Sequence, residues 1–203
     1  MTYIGTPTPR VDGRAKVTGS AQYAGEFTAP DLVYGSVVTS TIAKGRIARI
    51  DASQALAVEG VLDVLTHENR PKMANSDKGY NDEVAPTGSP FRPLFDDKIK
   101  FNGQPIALVL AEEWEISRFA ATLVQVDYDA ETHSTDLYTR IDKAYMVEKP
   151  DKPRGNAAKA HAAAAVRHEA EYYIPIEHHN PMELFASTVT WNDGGKLTVF
   201  DKT

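Results

Sequence analysis

The chain has 203 residues, 42% hydrophobic and 25% charged, with a formal net charge of −6 and no cysteine. That length holds one large domain, or one domain plus part of another. The acidic excess leaves no footprint for nucleic acid or an anionic membrane, and the missing cysteines exclude disulfides, cysteine-held zinc or iron–sulfur clusters and a cysteine nucleophile within this chain.

The opening MTYIGTPTPR has no charged region followed by an apolar core, so no signal peptide is expected, and no apolar run approaches a membrane span. Residues 1–30 are rich in Gly, Pro and Thr and read as an extended, irregular lead-in. Leu32 to Thr39 (LVYGSVVT) is apolar and β-branched, a strand; Arg46 to Ile50 alternates and reads as a second. Asp51 or Ser53 is placed to cap a short helix within ASQALAV, and Gly60 sits where a left-handed residue ends it. Val61 to Leu65 follows as a strand. Residues 67–95 carry four prolines and no period, a long surface excursion.

Beyond it, Lys98 to Phe101, the turn Gly103-Gln104-Pro105 and Ile106 to Leu110 predict strand, turn and buried strand. Apolar positions at Trp114, Ile116, Phe119, Ala120 and Leu123 form a helical stripe within residues 112–123. Val124 to Tyr128 reads as a strand, and a short helix is expected around Asp136 to Met146. Charge, proline and glycine then give way to alanine over residues 148–165, a linker whose end is helical. Val166 to Ile176 and Met182 to Trp191 read as strands, Asn192 to Gly195 as a turn, and Lys196 to Phe200 as the return strand.

Few residues carry a recognisable chemistry. His179 and Glu183, at i and i+4, would share a helical face and with His178 suggest a metal site, but Pro181 and strand-like flanks undo the helical spacing. The plainer reading is a polar turn in which Glu183 satisfies backbone N–H groups. Gly13, Gly19, Arg10, Arg14 and Lys16 lack the preceding strand and the spacing of a phosphate cradle. The Gln104 amide joins strands more readily than it builds a site. Asp96-Asp97 and Glu112-Glu113 lie in a loop and at a helix start, where a carboxylate needs no catalytic role. No nucleophile elbow anchors a serine triad. From the residues alone, the chain is an α+β domain, a linker and an incomplete β unit.

Taken in order, PRVDGRAKVTGSAQYAGEF, IARIDASQALAVEGVLDVLTHEN, FNGQPIALVLAEE, ATLVQVDYDAE, HHNPMELFASTVTW and GGKLTVFDKT resemble the molybdopterin-binding large subunit of the xanthine dehydrogenase and aldehyde oxidase family. STIAKGRIARIDAS is most similar to the bacterial aldehyde-oxidoreductase branch. The resemblance implies an extended lead-in over residues 1–19, an α/β-hammerhead domain over 20–147, a linker over 148–165, and the first strands of a molybdopterin-binding domain over 166–203. In the family, the complete enzyme hydroxylates an aldehyde or an N-heterocycle such as xanthine at a molybdenum cofactor, with a glutamate as base. Electrons leave through iron–sulfur clusters, and often FAD, on other domains or subunits.

The resemblance also implies what this chain lacks. The family's glycine-rich cofactor segment and late glutamate base are not in the sequence, and the glutamine that approaches the cofactor typically follows the threonine matching Thr203. No catalytic or metal residue is therefore carried over. His179 and Glu183 match the family's H-x-P-M-E segment and are the candidates for a place near the cofactor domain. The chain is expected to be the front part of a larger subunit, inactive alone and without bound cofactor. Its expected partners are the remainder of that subunit, an iron–sulfur subunit and an FAD subunit. The alternative is a free-standing assembly or docking module. The strand edge at Lys196–Lys202 is expected to be exposed or paired with another copy. The compartment implied is the cytoplasm, or the periplasm by export with a partner.

Overall fold

The computed structural model describes residues 4–72, 91–146, 154–192 and 194–202. In chain order its elements are α1 (Gly13–Val17), β1 (Tyr34–Thr39), β2 (Gly45–Asp51), α2 (Ser53–Leu56), β3 (Val61–Leu65), β4 (Lys98–Ile99), β5 (Pro105–Ala111), α3 (Trp114–Ala121), β6 (Gln125–Ala130), α4 (Ala157–Ala163), β7 (Ser187–Asn192) and β8 (Lys196–Asp201). The described residues also hold two 3-10 turns, Ala24–Glu26 and Tyr138–Lys143. The chain divides into two compact units, one of Val33–Glu169 and one that joins Met1–Leu32 to Ala170–Thr203. The packing boundary at Val33 falls inside the span expected for the hammerhead, because residues 20–32 group with the C-terminal hairpin.

The 33–169 unit is built around β5. Its sequence PIALVLA is apolar without interruption, as a strand covered on both sides requires. β5 pairs antiparallel with β1 on one side and β3 on the other. Ala55, Val64, Ala107, Val109 and Ala120 form the core between this sheet and the short helices α2 and α3. Asp51 caps α2 as expected: its Oδ1 accepts from the Ser53 N–H at 3.0 Å and the Ser53 hydroxyl at 2.6 Å. Gly60 has the left-handed geometry expected of it, φ +87°, but α2 has already ended at Leu56 with Ala57 as its C-cap, so the glycine turns the chain into β3 rather than closing the helix.

α3 forms where the stripe predicts, but its buried face differs. Trp114 and Phe119 are 49% and 57% exposed, whereas Ser117 and Ala120 are fully buried. Ser117 lies where α3 packs against β1, so its buried hydroxyl must find a partner. Ser117 meets that demand with its hydroxyl satisfied, donating to the Trp114 carbonyl at 2.8 Å with Ser36 Oγ also at 2.8 Å. Trp114 instead lies under the Arg118 guanidinium, 4.7 Å from its ring centre.

A second sheet runs β4-β2-β6, with Ile47, Ile99 and Ile106 as its core. The Gly103-Gln104-Pro105 turn is closed from within. The Gln104 amide accepts from the Lys100 N–H at 2.8 Å and donates to the Lys98 carbonyl at 2.7 Å. The Ser40 N–H donates to the Gln104 carbonyl at 2.8 Å, tying the end of β1 to the same turn. Gln104 is thus a buried amide whose oxygen and nitrogen both bond the backbone of the strand and turn that lead into it.

Arg46 grips Asp97 with two hydrogen bonds, 2.8 and 2.9 Å. Those bonds hold the Asp97 carboxyl below its ordinary value of 3.8, against a smaller opposing push from desolvation. Because the folded value lies below the unfolded one, the stabilisation is complete above about pH 4 and fades as pH falls through the folded value. Asp97→Asn is therefore expected to leave a stability deficit that is constant near neutrality and shrinks in acid. Urea unfolding at a series of pH values checks this.

Four expectations need correction. The lead-in over residues 1–30 is not irregular throughout, since it holds α1 and the Ala24–Glu26 turn. The helix expected over Asp136–Met146 is the shorter 3-10 turn Tyr138–Lys143. Val166–Ile176 does not form a strand: among the described residues it has no ladder partner, and Val166, Tyr172, Ile174 and Ile176 stay exposed. A β-branched run adopts a strand only when another backbone accepts its hydrogen bonds. Met182–Trp191 is likewise a strand only from Ser187 onward. The predicted linker end is α4, capped by Asn156 Oδ1, which accepts from the Lys159 N–H at 2.9 Å. Residues 73–90 of the predicted excursion, 148–153 of the linker and Asp193 of the predicted turn lie outside the described residues.

In the terminal unit, β7 and β8 make an antiparallel hairpin in continuous register from Ser187↔Asp201 to Asn192↔Lys196. Gly194 and Gly195, at φ +78° and +76°, supply the left-handed turn that two adjacent positions require. Among the described residues β8 pairs only with β7, leaving its outer edge unpaired. No helix of the described residues is long and apolar enough to cross a membrane.

Candidate functional site

The sequence-predicted residues His178, His179 and Glu183 lie in the terminal unit, on the non-repetitive chain leading into β7. The structure separates their roles. Glu183 turns inward: its Oε1 accepts from the Ala24 N–H at 2.9 Å. Ala24 is the first residue of the 3-10 turn, so its N–H has no partner within that turn. The carboxylate therefore serves as a cap delivered from 159 residues away.

The rest of the turn is held with equal care. The Ala24 carbonyl accepts from the buried Thr188 hydroxyl at 2.8 Å. The Tyr23 N–H donates to Glu26 Oε2 at 2.6 Å, and the Glu26 N–H donates back to the Tyr23 carbonyl at 2.9 Å. Phe27 then stacks on Phe200 of β8, ring centres 3.7 Å apart and planes 8° from parallel. Gly25 lies so close to the hairpin that an added Cβ would come 3.2 Å from Ala186 Cβ. Residues 23–27 are thus clamped onto the β7–β8 hairpin by two hydrogen bonds, a ring stack and a close approach.

His178 and His179 remain exposed. With Asn180, Pro181, Leu184 and Phe185 they line an open depression of about 450 Å³. Asn180 has φ +40°, so the chain bends sharply between the histidines and Glu183. That bend sends the two histidines to the surface while Glu183 points at Ala24. Among the described residues, no group of three or more His, Cys, Asp and Glu side chains is placed to hold a metal ion. The metal reading of His178, His179 and Glu183 therefore finds no support in the geometry.

The partners Tyr23, Ala24, Thr188 and Phe200 are what sequence reasoning missed. Their spacing holds no periodic signal, because the contacts join opposite ends of the numbering. The one usable hint was an acid beside strand-like flanks, which favours a backbone-capping role.

Comparison with known proteins places this geometry. The profile described as aldehyde oxidase and xanthine dehydrogenase, a/b hammerhead domain, matches residues 18–132. The aldehyde oxidoreductase molybdenum-binding subunit PaoC of Escherichia coli (strain K12) is 37% identical over 204 residues, covering 97% of this chain and 26% of that protein. The aldehyde oxidoreductase of Desulfovibrio gigas matches in structure with a TM-score of 0.73 and 25% identity, over 96% of this chain and 23% of that one. The aldehyde oxidoreductase of Desulfovibrio desulfuricans ATCC 27774 shares the fold with a TM-score of 0.77 at 22% identity, over 98% of this chain and 24% of that one. The chain thus spans about a quarter of the length of the relatives it matches. With the profile extending over more than half of its residues, the chain belongs to the aldehyde oxidase and xanthine dehydrogenase family.

Proposed function

We propose that this chain supplies the hammerhead portion, and the first hairpin that follows it, of a molybdenum-binding oxidoreductase subunit acting on aldehydes or N-heterocycles. The observation that carries the reading is the extent of the likeness to PaoC, which covers 97% of the chain at 37% identity. On this reading the chain performs no chemistry alone. Its role is to build a rigid wall beside a molybdopterin site whose cofactor-binding and catalytic groups belong to other segments. Iron–sulfur and FAD subunits are the partners that would carry electrons away.

A second reading, a docking module for a molybdoenzyme complex, is favoured by one observation. Met182, Leu184 and Phe185 are all about four-fifths exposed or more, as are Ile174 and Ile176. An apolar run of that kind normally lies against another protein surface. The two readings share an assay. The purified chain is expected to contain molybdenum only at background by elemental analysis, and to give no aldehyde-dependent reduction of an acceptor dye. Stoichiometric molybdenum or turnover would overturn both. They part at the gene: a reading frame running past Thr203 into a glutamine and a glycine-rich segment selects the first reading over the second.

A further inference from the structure

Three stretches of the 33–169 unit (residues 43–46, 98–102 and 131–135), together with Arg140, line one open cavity of about 810 Å³. That volume is within the range of small-molecule sites, about 300–1,000 Å³. Five cations reach its wall, Lys44, Arg46, Lys98, Lys100 and Arg140, against the single carboxylate of Glu131. Three of the five are engaged. Lys44 lies 2.9 Å from Glu131, Arg46 2.8 Å from Asp97, and Lys98 3.9 Å from Asp96. Lys100 and Arg140 have no ionic partner among the described residues. With Glu131, Asp97 and Asp96 offsetting the first three, the wall's positive excess rests on Lys100 and Arg140, in a chain whose net charge is −6.

The surroundings narrow the ligand. Thr132, Ser134 and Thr135 contribute hydroxyl donors to the wall, and His133 a ring nitrogen. Phe101, 44% exposed, contributes an apolar patch. An extended polyanion would meet the acidic remainder of the chain and be repelled, whereas a small anion fits wholly within the basic wall. Cations and hydroxyls lining one concave surface are the donor set that recognises phosphate and carboxylate oxygens.

We propose that this cavity binds a small, multiply charged oxyanion ligand through Lys100 and Arg140. The pairs Lys44–Glu131 and Arg46–Asp97 fix the walls and leave those two cations free for the ligand. The site stands apart from the proposed role in a molybdoenzyme and does not depend on it.

The test is a titration of the isotopically labelled full chain with inorganic pyrophosphate, and separately with citrate, followed by amide chemical shifts in low salt. Shifts confined to residues 43–46, 98–102 and 131–140 are expected, with affinity falling as salt is raised. Saturation by pyrophosphate alone assigns a phosphate ligand, by citrate alone a carboxylate ligand, and by both a site that reads charge. The double variant Lys100→Met/Arg140→Met should weaken binding about tenfold or more. Both side chains are free of described ionic partners, so the fold should be retained, and circular dichroism verifies it. Lys159→Met on α4 serves as the control and should bind as the parent does. Absence of shifts at millimolar ligand, shifts scattered over the surface, or equal affinity in the double variant would overturn the proposal.

Discussion

Gly45→Ala is expected to destabilise the 33–169 unit by about 3 kcal/mol or more. Gly45 has φ +146°, a backbone geometry that side-chain-bearing residues rarely adopt. Its missing Cβ matters still more. An added Cβ would stand 2.3 Å from the Asp129 carbonyl oxygen and 3.0 Å from Ala130 Cα. These are backbone atoms of β6, paired in register with β2 through Gly45↔Ala130 and Arg46↔Asp129. Relief therefore requires parting the two strands, which would disturb Ile47 in the core and the Lys44–Glu131 ion pair beside it. Gly103→Ala is the internal comparison, because Gly103 has φ +83° and nothing within 4 Å of an added Cβ. It should cost only the left-handed penalty of about 1 kcal/mol. Urea unfolding of both variants decides the matter. A Gly45→Ala loss no larger than that of Gly103→Ala would mean that β6 yields easily and the close approach does not constrain the sheet.

Glu183→Ala is expected to loosen the terminal unit by about 2 kcal/mol, because it leaves the Ala24 N–H without its acceptor. Glu183→Gln retains a carbonyl oxygen on the same stem and should recover most of the loss. Thr188→Val removes the hydrogen bond to the Ala24 carbonyl and should cost about 1 kcal/mol. Because both side chains grip the same residue, combining the two changes should cost less than the sum of the single effects. Hydrogen exchange at the Ala24 amide and protease cleavage around residues 20–27 report the local effect directly. If Glu183→Ala and Glu183→Gln protect that amide equally, the carboxylate is not what holds the turn.

The legible part of the fold was the part with local causes. The Asp51 hydrogen bonds and the left-handed Gly60 act within a few residues, and the apolar run of β5 is itself continuous in sequence; each lies where the sequence placed it. Failures came where a partner decides. Val166–Ile176 has the composition of a strand but no backbone beside it among the described residues. Trp114 and Phe119 have the spacing of core residues yet stay about half exposed, while Ala120 of the same stripe is fully buried and Ser117, outside the stripe, joins it in the interior. The candidate site divides in the same way. Its structural reading for Glu183 followed from an acid between strand-like flanks, while Tyr23, Ala24, Thr188 and Phe200 lie too far apart in sequence to be linked by pattern. The cations of the 810 Å³ cavity are scattered through two stretches and a 3-10 turn, so no motif announces them.

The clamp between Ala24 and the chain near Glu183 also sets an order of assembly. Its two halves are numbered 159 residues apart, and everything between Val33 and Glu169 belongs to the other compact unit. On a growing polypeptide the first thirty-two residues emerge with nothing to grip, and stay so until the hairpin has been made. At about 5–20 residues per second, that interval lasts on the order of ten to thirty seconds. The intervening unit, whose sheets close among their own strands, has its full sequence available before then. The chain is organised as an insertion, with one body folding inside the open ends of another and the ends meeting last.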